Sequence, residues 1–382
     1  MPQTLSVCII GGGIGGLSTA IAMQQAGFNV SLYERVGAIK EVGAGISLWP
    51  NAVKVLYKLG FKTTLDAIAS IGDGGIRASD GRWLAHSHSA TIEKMCGAPL
   101  VVLHRAELLD MLYKAVDPQV IHLNAECTGF EQTADGVTVR FRDGSTAQAD
   151  VVIGADGIRS AVRTQMFGTQ TPCYSGYTAW RGVAPVKIDA AGFEMFGRGQ
   201  RFGVASLSQG RTYWFATKNA PAGESDSSAG RKADVLALFK GWADPVERLI
   251  QATEEPAILR NDIVDLPPLT QWSMGRVTLI GDAAHAMTPN MGQGACQAIE
   301  DALSITTCLQ QQSDPVTALQ TYQAQRIART TAIVNRSLLI GQIGQVSNPI
   351  LVTLRNLLLR ITPESATLRQ LAPVITYEVP TV

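Results

Sequence analysis

The sequence predicts an α/β fold, in which a Rossmann-like domain built from separated segments carries an inserted antiparallel β-sheet lobe and a helical C-terminal tail. Three observations support this fold class. A glycine-rich turn opens the chain between a predicted strand and a predicted helix, aromatic residues and β-alternation mark the segment from Thr171 to Pro268, and helical sequence follows Asp314. The predicted boundaries are 1–70, 98–170 and 270–312 for the Rossmann-like domain, 71–97 and 171–269 for the β-rich lobe, and 313–382 for the tail.

The composition favours a protein with a large core. Apolar residues make up 46% of the 382 positions and charged residues only 17%, against about 25% charged in a typical chain. The 32 basic and 32 acidic residues balance, so there is no cationic excess to favour nucleic acid as a partner. The six cysteines have neither zinc spacing nor a C-x-x-C pair, which indicates buried thiols in a reducing cytoplasm and no metal site.

The first motif is a G-x-G-x-x-G string. Gly11 permits a tight turn, Gly13 permits close approach of a pyrophosphate, and Gly16 permits the helix to pack on the strand. The free N–H groups and the dipole at the N-terminus of the following helix favour phosphate. Glu34 ends the next predicted strand and is placed to accept hydrogen bonds from a ribose. Together these residues predict a dinucleotide site.

Two further strand–turn–helix junctions follow. In the first, a buried strand runs into Asp156 and Gly157, which by itself indicates an ordinary junction with an aspartate cap. In the second, a strand over 277–280 leads to Asp282, and the turn before a helix over 294–311 can direct N–H groups at an anionic ring edge. His285 in this motif is typical of a capping or packing histidine.

Several other elements are predicted from local patterns. Pro50 and Gly60 bound one helix, and strands over Val137–Phe141 and Gln148–Ile153 flank an Asp143-Gly144 turn. The uncharged stretch Ser337–Leu354 contains glutamines and a proline, so we expect a helix that covers the protein rather than a membrane span. His86 and His88 are expected to face solvent.

The three motifs together resemble the single-component FAD-dependent aromatic hydroxylases, the para-hydroxybenzoate hydroxylase-like flavoprotein monooxygenases. The strings GADGIRSAVR (154–163) and LIGDAAHAMTPNMGQGACQAIEDA (279–302) are specific to that family. The resemblance covers about residues 5 to 360. Within the family the sequence is most similar to urate hydroxylases, 2-alkyl-4-quinolone 3-monooxygenases, salicylate hydroxylases and the core of zeaxanthin epoxidases.

The resemblance implies noncovalent FAD, with NADH or NADPH as a transient co-substrate that has no Rossmann domain of its own. Beside Gly11, Gly13 and Gly16, it implies cofactor-binding roles for a further set of residues. These are Gly15, Glu34 and Arg35 on the ADP half, Ser47 in the Gly43–Ser47 loop along the flavin, Arg105 on the FAD, Cys127 near the adenine, Asp156 between FAD and the reductant path, Asp282 on ribityl or ribose hydroxyls, and Pro289, Gly292, Gln293, Gly294, Ala295 and Cys296 at the isoalloxazine.

The implied activity is NAD(P)H- and O2-dependent hydroxylation of a small aromatic or N-heteroaromatic molecule through a flavin C4a-hydroperoxide. Arg201, Tyr213 and Arg181 occupy the positions of substrate contacts. Arg181 replaces an asparagine of the urate type and Asn290 replaces an aspartate, and the second change argues against urate itself. A hairpin centred on Gln209-Gly210 is expected to bring Arg201 and Tyr213 to one face of the lobe.

Two other functions stay open at this point. The first is an epoxidase of an apolar alkene, for which the apolar tail Leu338–Leu359 would favour peripheral lipid contact. The second is a non-catalytic FAD-binding protein, which the complete flavin-ring motif disfavours. A monomer or a homodimer in the cytoplasm is expected in each case.

Overall fold

The computed structural model describes residues 5–39 and 44–380, and Gly43 of the predicted loop lies outside these ranges. Eighteen strands in this part of the chain form four sheets with six, three, seven and two strands. The strands in chain order are β1 (Ser6–Ile10), β2 (Asn29–Tyr33), β3 (Gly45–Leu48), β4 (Gly74–Ala78), β5 (Trp83–Ser87), β6 (Val101–His104), β7 (Ile121–His122), β8 (Cys127–Gln132), β9 (Val137–Phe141), β10 (Thr146–Ala149), β11 (Val151–Gly154), β12 (Cys173–Ala184), β13 (Gly192–Phe196), β14 (Gln200–Ser206), β15 (Thr212–Asn219), β16 (Leu259–Asp265), β17 (Ser273–Met274) and β18 (Val277–Leu279).

Thirteen α-helices lie in the same described ranges. They are α1 (Ile14–Gln25), α2 (Pro50–Lys58), α3 (Lys62–Ile68), α4 (Ser89–Cys96), α5 (Arg105–Ala115), α6 (Ala161–Phe167), α7 (Arg231–Leu238), α8 (Val246–Ala252), α9 (Asp282–His285), α10 (Gly294–Gln311), α11 (Pro315–Gly344), α12 (Pro349–Ile361) and α13 (Glu364–Ile375). The predicted α/β class is confirmed, with mixed sheets and many helices.

The six-stranded sheet has the order β17-β18-β11-β1-β2-β7. All its neighbours are parallel except the β17–β18 pair. Strand β1 lies between β11 and β2, and its residues 7–10 are buried, which explains why it is apolar throughout rather than alternating. The first two strands and the helix between them form the predicted β-α-β unit.

The seven-stranded sheet has the order β16-β12-β15-β14-β13-β4-β5. One of its faces packs on α7 and α8 through a core that contains Trp180, Phe202 and Trp214. The sheet joins strands from both segments that were predicted for the β-rich lobe. It is mixed rather than purely antiparallel, because β13 pairs with β4 in parallel.

One predicted strand is wrong. The segment Gln148–Ile153 is two strands, since β10 pairs with β9 in the three-stranded sheet and β11 pairs with β1 in the parallel sheet. The Asp143-Gly144 turn between β9 and β10 is confirmed, with Gly144 at φ +87°. Apolar residues on both sides of Asp150 conceal the change of sheet in the sequence.

The tail is helical, as predicted. Helix α11 begins where the Asp314 side chain accepts from the backbone N–H groups of Val316 and Thr317, and it ends at Gly344. No single helix in the described ranges is long and apolar enough to cross a membrane, whereas α11 and α12 together pass that test but bend by 117° at their junction. The stretch Ser337–Leu354 is thus not one covering helix, and α12 leaves much of its apolar surface exposed.

Candidate active site

The β1–α1 turn is built by backbone contacts that only glycine allows. Gly11 has φ +113°, and a Cβ on Gly16 would overlap the carbonyl oxygen of Gly11. A Cβ on Gly13 would meet no atom of the described residues within 4 Å. The space beside the N-terminus of α1 is therefore open, as the approach of a phosphate group requires. Gly15 instead lets α1 pack on α10, because its Cβ would lie 3.2 Å from Ala298.

Glu34 lies at the end of β2 and holds this turn. Its Oε2 accepts from the N–H of Gly12 at 2.7 Å and its Oε1 accepts from Val36 at 3.1 Å. Arg35 is exposed beside it. The Glu34 carbonyl accepts from Ala125 at 2.9 Å, which brings the start of β8 and Cys127 near the same turn. Burial raises the pKa of the Cys127 thiol to about 11.

Asp156 follows β11 at the next edge position of the parallel sheet. Its Oδ2 accepts from Ala161 at 2.7 Å and from Val162 at 3.2 Å, so it helps to cap α6. Its Oδ1 is buried and has no hydrogen-bond partner in the described structure. Burial raises the pKa of this carboxyl. The cap explains one oxygen and leaves the other available to a ligand.

Asp282 and the N-terminus of α10 lie together. Gly281 has φ +56° and aims the chain from β18 into α9, which begins at the exposed Asp282. A Cβ on Gly294, the first residue of α10, would lie 4.0 Å from Asp282 Oδ1. Pro289 begins a short 3-10 turn that ends at Gly292, in the left-handed region at φ +61°. These residues form a second glycine-lined approach to a helix N-terminus.

Gln293 and Cys296 turn their side chains inward, away from that approach. The Gln293 Oε1 accepts from Asn51 at 3.0 Å and from Gln297 at 2.9 Å. The Cys296 Sγ accepts from the Trp49 N–H at 3.4 Å. Burial raises the pKa of the Cys296 thiol to about 12. Only the backbone of these two residues is therefore placed to face a ligand, and the thiol stays protonated. Ala295, between them, is half-buried.

A buried network that the sequence analysis missed supports α10 from below. Arg326 on α11 forms ion pairs with Glu300 and with Asp301, and all three side chains are fully buried. The His285 Nε2 lies 2.6 Å from Asp301 Oδ2, so His285 is the packing residue expected. The only sequence indication was two adjacent acids within an otherwise uncharged helix.

Strand β3 connects the second approach to the seven-stranded sheet. A Cβ on Gly45 would lie 2.5 Å from the Tyr213 ring, and the Cβ of Ser47 would lie 3.9 Å from one on Gly292. Gly45 and Ser47 lie on the same face of β3, about 7 Å apart. The backbone N–H of Arg105 donates to Ala44 at 2.8 Å, so Arg105 enters α5 beside this strand.

Tyr213 and Arg181 form one polar pair above β3. Burial raises the pKa of the Tyr213 phenol, against the opposing charge of the nearby Arg181. The phenol is therefore protonated at neutral pH. Trp180, next to Arg181, points to the opposite face of the sheet, into the core with α7 and α8.

Arg201 lies in a second polar group. The register pairs Arg201 with Thr217 and Ala205 with Tyr213. Arg201 and Tyr213 therefore share a face of the sheet, as expected, but they lie four positions apart along the paired strands. Arg201 donates to Gln345 Oε1 at 2.9 Å and to Asn290 Oδ1 at 2.7 Å.

Glu194 and Tyr177 complete this second group, and both were missed from the sequence. Arg201 Nη1 lies 3.1 Å from Glu194 Oε1, and the Tyr177 hydroxyl donates to Asn290 at 3.1 Å. Burial raises the pKa of Glu194 against the opposing charge of Arg201. No local pattern marks these residues, because sheet pairing alone brings them together.

The contacts above bring three elements of the chain together, and we call the place where they meet the site cup. Its wall consists of Gly45 and Ser47 on β3, the 3-10 turn from Pro289 to Gly292, and Arg181, Arg201 and Tyr213 on the seven-stranded sheet. The two glycine-lined helix N-termini and the unpartnered Asp156 oxygen fit an extended anionic nucleotide. No group of three His, Cys, Asp or Glu side chains in residues 5–39 and 44–380 is placed to hold a metal ion.

Comparison with known proteins identifies the family. A model described as FAD binding domain matches residues 4–337. The chain belongs to this FAD binding domain family. It is 42% identical over 365 residues to aurachin C monooxygenase/isomerase of Stigmatella aurantiaca, across 94% of this chain and 95% of the relative. It is 36% identical over 342 residues to FAD-dependent urate hydroxylase of Klebsiella pneumoniae, across 86% of this chain and 88% of the relative.

Solved structures agree with this assignment. Klebsiella pneumoniae HpxO complexed with FAD and uric acid superposes with a TM-score of 0.91 at 33% identity, covering 97% of this chain and 96% of that one. The chain also matches zeaxanthin epoxidases, of which it spans about half of the length, 54% in Nicotiana plumbaginifolia. The predicted flavoprotein resemblance is confirmed, and the protein is an FAD-dependent monooxygenase.

Proposed function

We propose that the protein uses NADH or NADPH and O2 to hydroxylate a small aromatic or N-heteroaromatic molecule held in the site cup. The observation that carries this proposal is the meeting, at the cup, of the glycine-lined turn at Gly292, strand β3 and the polar face of the seven-stranded sheet. The relatives that match over most of their own length have monooxygenase and hydroxylase names, which supports the reaction class.

The proposed division of the chain follows from this placement. Residues 1–70, 98–170 and 270–312 would hold FAD, residues 71–97 and 171–269 would hold the substrate, and residues 313–382 would form the helical segment behind both. Sheet membership supports the division, since β4 pairs with both β5 and β13 although a long stretch of chain separates β13 from the other two strands. We expect the protein to be a monomer or a homodimer in the cytoplasm.

The residues that would hold FAD fall into three regions of the chain described above. We assign the pyrophosphate to the β1–α1 turn, the ribose and adenine to Glu34, Arg35 and the start of β8, and the flavin end to β3 and the N-terminus of α10. The full set is Gly11, Gly13, Gly15, Gly16, Glu34, Arg35, Ser47, Arg105, Cys127, Asp156, Asp282, Pro289, Gly292, Gln293, Gly294, Ala295 and Cys296. FAD, when bound, supplies hydride acceptance and oxygen activation.

The protonated thiols of Cys127 and Cys296 support noncovalent binding, because a neutral thiol is a poor nucleophile. We therefore expect acid precipitation of the purified protein to release its flavin into the supernatant. Colour retained in the protein pellet would contradict noncovalent binding.

Tyr213 and Arg181 would orient the substrate. The protonated phenol donates a hydrogen bond to a ring substituent, and Arg181 stabilises a carbonyl or anionic edge. Arg201 would act partly through Asn290, whose side chain it holds at the edge of the cup. Exclusion of water from the cup would favour transfer of oxygen to the substrate over its loss as hydrogen peroxide.

Oxygen labelling tests the reaction. The holoenzyme is incubated with NADH or NADPH, 18O2 and a panel of phenols, quinolones and purines, and products are analysed by mass spectrometry. We expect one compound to accelerate NAD(P)H oxidation and to acquire one 18O atom. Acceleration that yields only hydrogen peroxide with every compound would contradict hydroxylation.

Tyr213→Phe tests the cup itself. We expect hydrogen peroxide formed per NAD(P)H oxidised to rise at least about tenfold, because a misoriented substrate no longer captures the oxygen. The matched control is Tyr174→Phe on β12, whose hydroxyl donates to Ala220 at 2.6 Å, outside the cup. FAD content should be unchanged in both variants. Native coupling in Tyr213→Phe would show that the substrate is held elsewhere.

The epoxidase alternative has less support. The chain spans about half of the zeaxanthin epoxidases but nearly all of aurachin C monooxygenase/isomerase. The same labelling experiment with long-chain alkenes distinguishes the two, because an epoxidase would place the 18O atom across a carbon–carbon double bond.

A further inference from the structure

Helix α12 presents a continuous apolar face to solvent. Its exposed large apolar residues have helical spacing and fall within an arc about 120° wide. They are Ile350, Leu351, Leu354, Leu357, Leu358 and Ile361, with exposed fractions between 49% and 76%. Leu339 and Ile343 are exposed in the last turns of α11 before the junction with α12, and we call these eight residues together the α12 face.

The α12 face concentrates the exposed apolar surface of the molecule. Eleven large hydrophobic residues in the described ranges are exposed, and eight of them belong to this face. The other three, Val36, Ile71 and Met95, are scattered. Patches of this kind on a folded protein mark interaction surfaces, whereas single exposed apolar residues are ordinary.

The orientation of α12 is fixed by a buried anchor. Arg355 is 5% exposed, and it donates to the carbonyl oxygens of Gly344 at 3.0 Å and Gly197 at 2.9 Å. Its guanidinium also lies 5.0 Å from the centre of the Phe196 ring. Because these contacts tie the inner side of α12 to the protein, the helix cannot rotate to bury its apolar face.

The charges around the face have one sign. Helices α11 and α12 contain no acidic residue, and of their five arginines Arg326, Arg329 and Arg355 are engaged in contacts within the protein. Arg360 lies exposed on α12, and the exposed Arg198 donates to the Ser347 carbonyl at the α11–α12 junction. The next acid along the chain, Glu364, pairs with His88. Two copies placed face to face would oppose like charges, whereas an anionic lipid surface complements them.

We propose that the α12 face docks on the surface of an anionic lipid bilayer, with α12 lying in the plane of the headgroups. An apolar stripe bordered by arginine is the pattern of such interfacial helices. The 117° bend after α11 lets α12 lie across the surface while α11 remains packed against the protein. This proposal does not depend on which compound is hydroxylated.

Vesicle flotation of the FAD-loaded protein tests the proposal. We expect flotation with vesicles of equal parts phosphatidylcholine and phosphatidylglycerol, and much weaker flotation with phosphatidylcholine alone. Leu354→Gln combined with Leu358→Gln should lower the partition coefficient at least about tenfold. The matched control, Ile71→Gln combined with Met95→Gln, removes two exposed apolar residues elsewhere and should float like the wild type.

The charged border is tested separately. Arg360→Gln and Arg198→Gln should each weaken binding to the anionic vesicles about fivefold, and added salt should weaken the wild type in the same way. FAD absorbance and circular dichroism establish that each variant is folded. Failure of the folded wild-type protein to float, or equal flotation of the Leu354/Leu358 variant, would overturn the proposal. A concentration-dependent dimer in sedimentation that this variant abolishes, without vesicle binding, would assign the face to a second copy.

Discussion

Two ion-pair clusters, each centred on a buried arginine, differ in how completely their charges are paired. In the cluster below α10, which is centred on Arg326, each buried acid accepts several hydrogen bonds. Glu300 accepts from Asn51 at 2.6 Å and from Arg329 at 2.8 and 2.9 Å, besides its pair with Arg326. Asp301 accepts from the Gly281 N–H at 2.9 Å and from Arg326 at 2.8 Å.

The cluster in the seven-stranded sheet, centred on Arg201, is less complete. Within residues 5–39 and 44–380, Glu194 has one arginine at ion-pair distance, and its Oε1 makes no hydrogen bond of good geometry. The difference is visible in the carboxyl groups. Burial would raise the pKa of Asp301, but His285 and Arg326 hold it at about 2. For Glu194, burial raises the pKa by more than the one arginine lowers it, so the pKa of Glu194 is raised.

The comparison separates a structural role from a role in the site. A saturated buried cluster fixes α10, whose N-terminus must be rigid to present N–H groups, and it is costly to break. An under-paired carboxyl and an arginine that also holds Asn290 leave donors and acceptors for a ligand. We therefore expect the Arg326 cluster to determine stability and the Arg201 cluster to affect activity more than stability.

The largest expected effect is that of Arg326→Met. Removing this guanidinium leaves two acids buried without their main partner, which should lower the free energy of unfolding by about 3–5 kcal/mol. Arg201→Met should cost only about 1–2 kcal/mol. Denaturant unfolding measures both costs. Arg82 forms an exposed ion pair with Asp80, so Arg82→Met is the control, and its free energy of unfolding should lie within about 0.5 kcal/mol of the wild-type value. Equal costs for the two buried arginines would remove the distinction.

Acid should weaken the Arg326 cluster next. Because the folded pKa of Asp301 is lowered from 3.8 to about 2, its contribution of about 2 kcal/mol is fully present above pH 4 and is lost as the pH falls toward 2. Unfolding free energies measured across that range should show the loss in the wild type. Asp301→Asn should be less stable at neutral pH and should lack this part of the acid dependence. A parallel pH dependence in the two proteins would contradict the assignment.

Asn51→Ala tests whether the Arg326 cluster supports the cofactor. Asn51 is buried and donates to both Gln293 and Glu300, so its loss should cost about 1–2 kcal/mol of stability. It should also weaken FAD binding, measured by fluorescence titration of the apoprotein, since Gln293 precedes the N-terminus of α10. Asn335→Ala, exposed on α11, is the control. Unchanged FAD affinity in Asn51→Ala would separate the cluster from the cofactor site.

The smallest expected effect on stability is that of Glu194→Gln. With a raised folded pKa, Glu194 binds protons more readily in the folded state than in the unfolded state. The wild type therefore loses stability as the pH rises from 4.5 through the folded pKa, and the glutamine variant does not. At neutral pH the change should be below about 1 kcal/mol, while substrate-stimulated NAD(P)H oxidation falls. A cost comparable to that of Arg326→Met would show that the two clusters are alike.

Much of the cofactor side was predictable, and less of the substrate side was. The β1–α1 turn, Glu34 and Asp282 follow strands whose pattern is local, and the start of α10 lies shortly after Asp282 in the same motif, so their positions at one edge of the parallel sheet could be inferred in order. Gln293 and Cys296 were predicted as flavin contacts, but their side chains turn inward. The sequence places a residue on a helix N-terminus without showing which way its side chain faces.

What the sequence determined by itself is the chemistry available along the chain, namely the glycine turns, the acids at strand ends and the fold class. These depend on contacts between residues that are close in sequence. Tertiary structure alone decided that Arg201 meets Asn290 and Gln345, that β10 and β11 enter different sheets, and that Arg355 turns the apolar side of α12 outward. Each of those outcomes depends on pairing between distant segments, where burial and hydrogen bonding rather than local pattern select the partner.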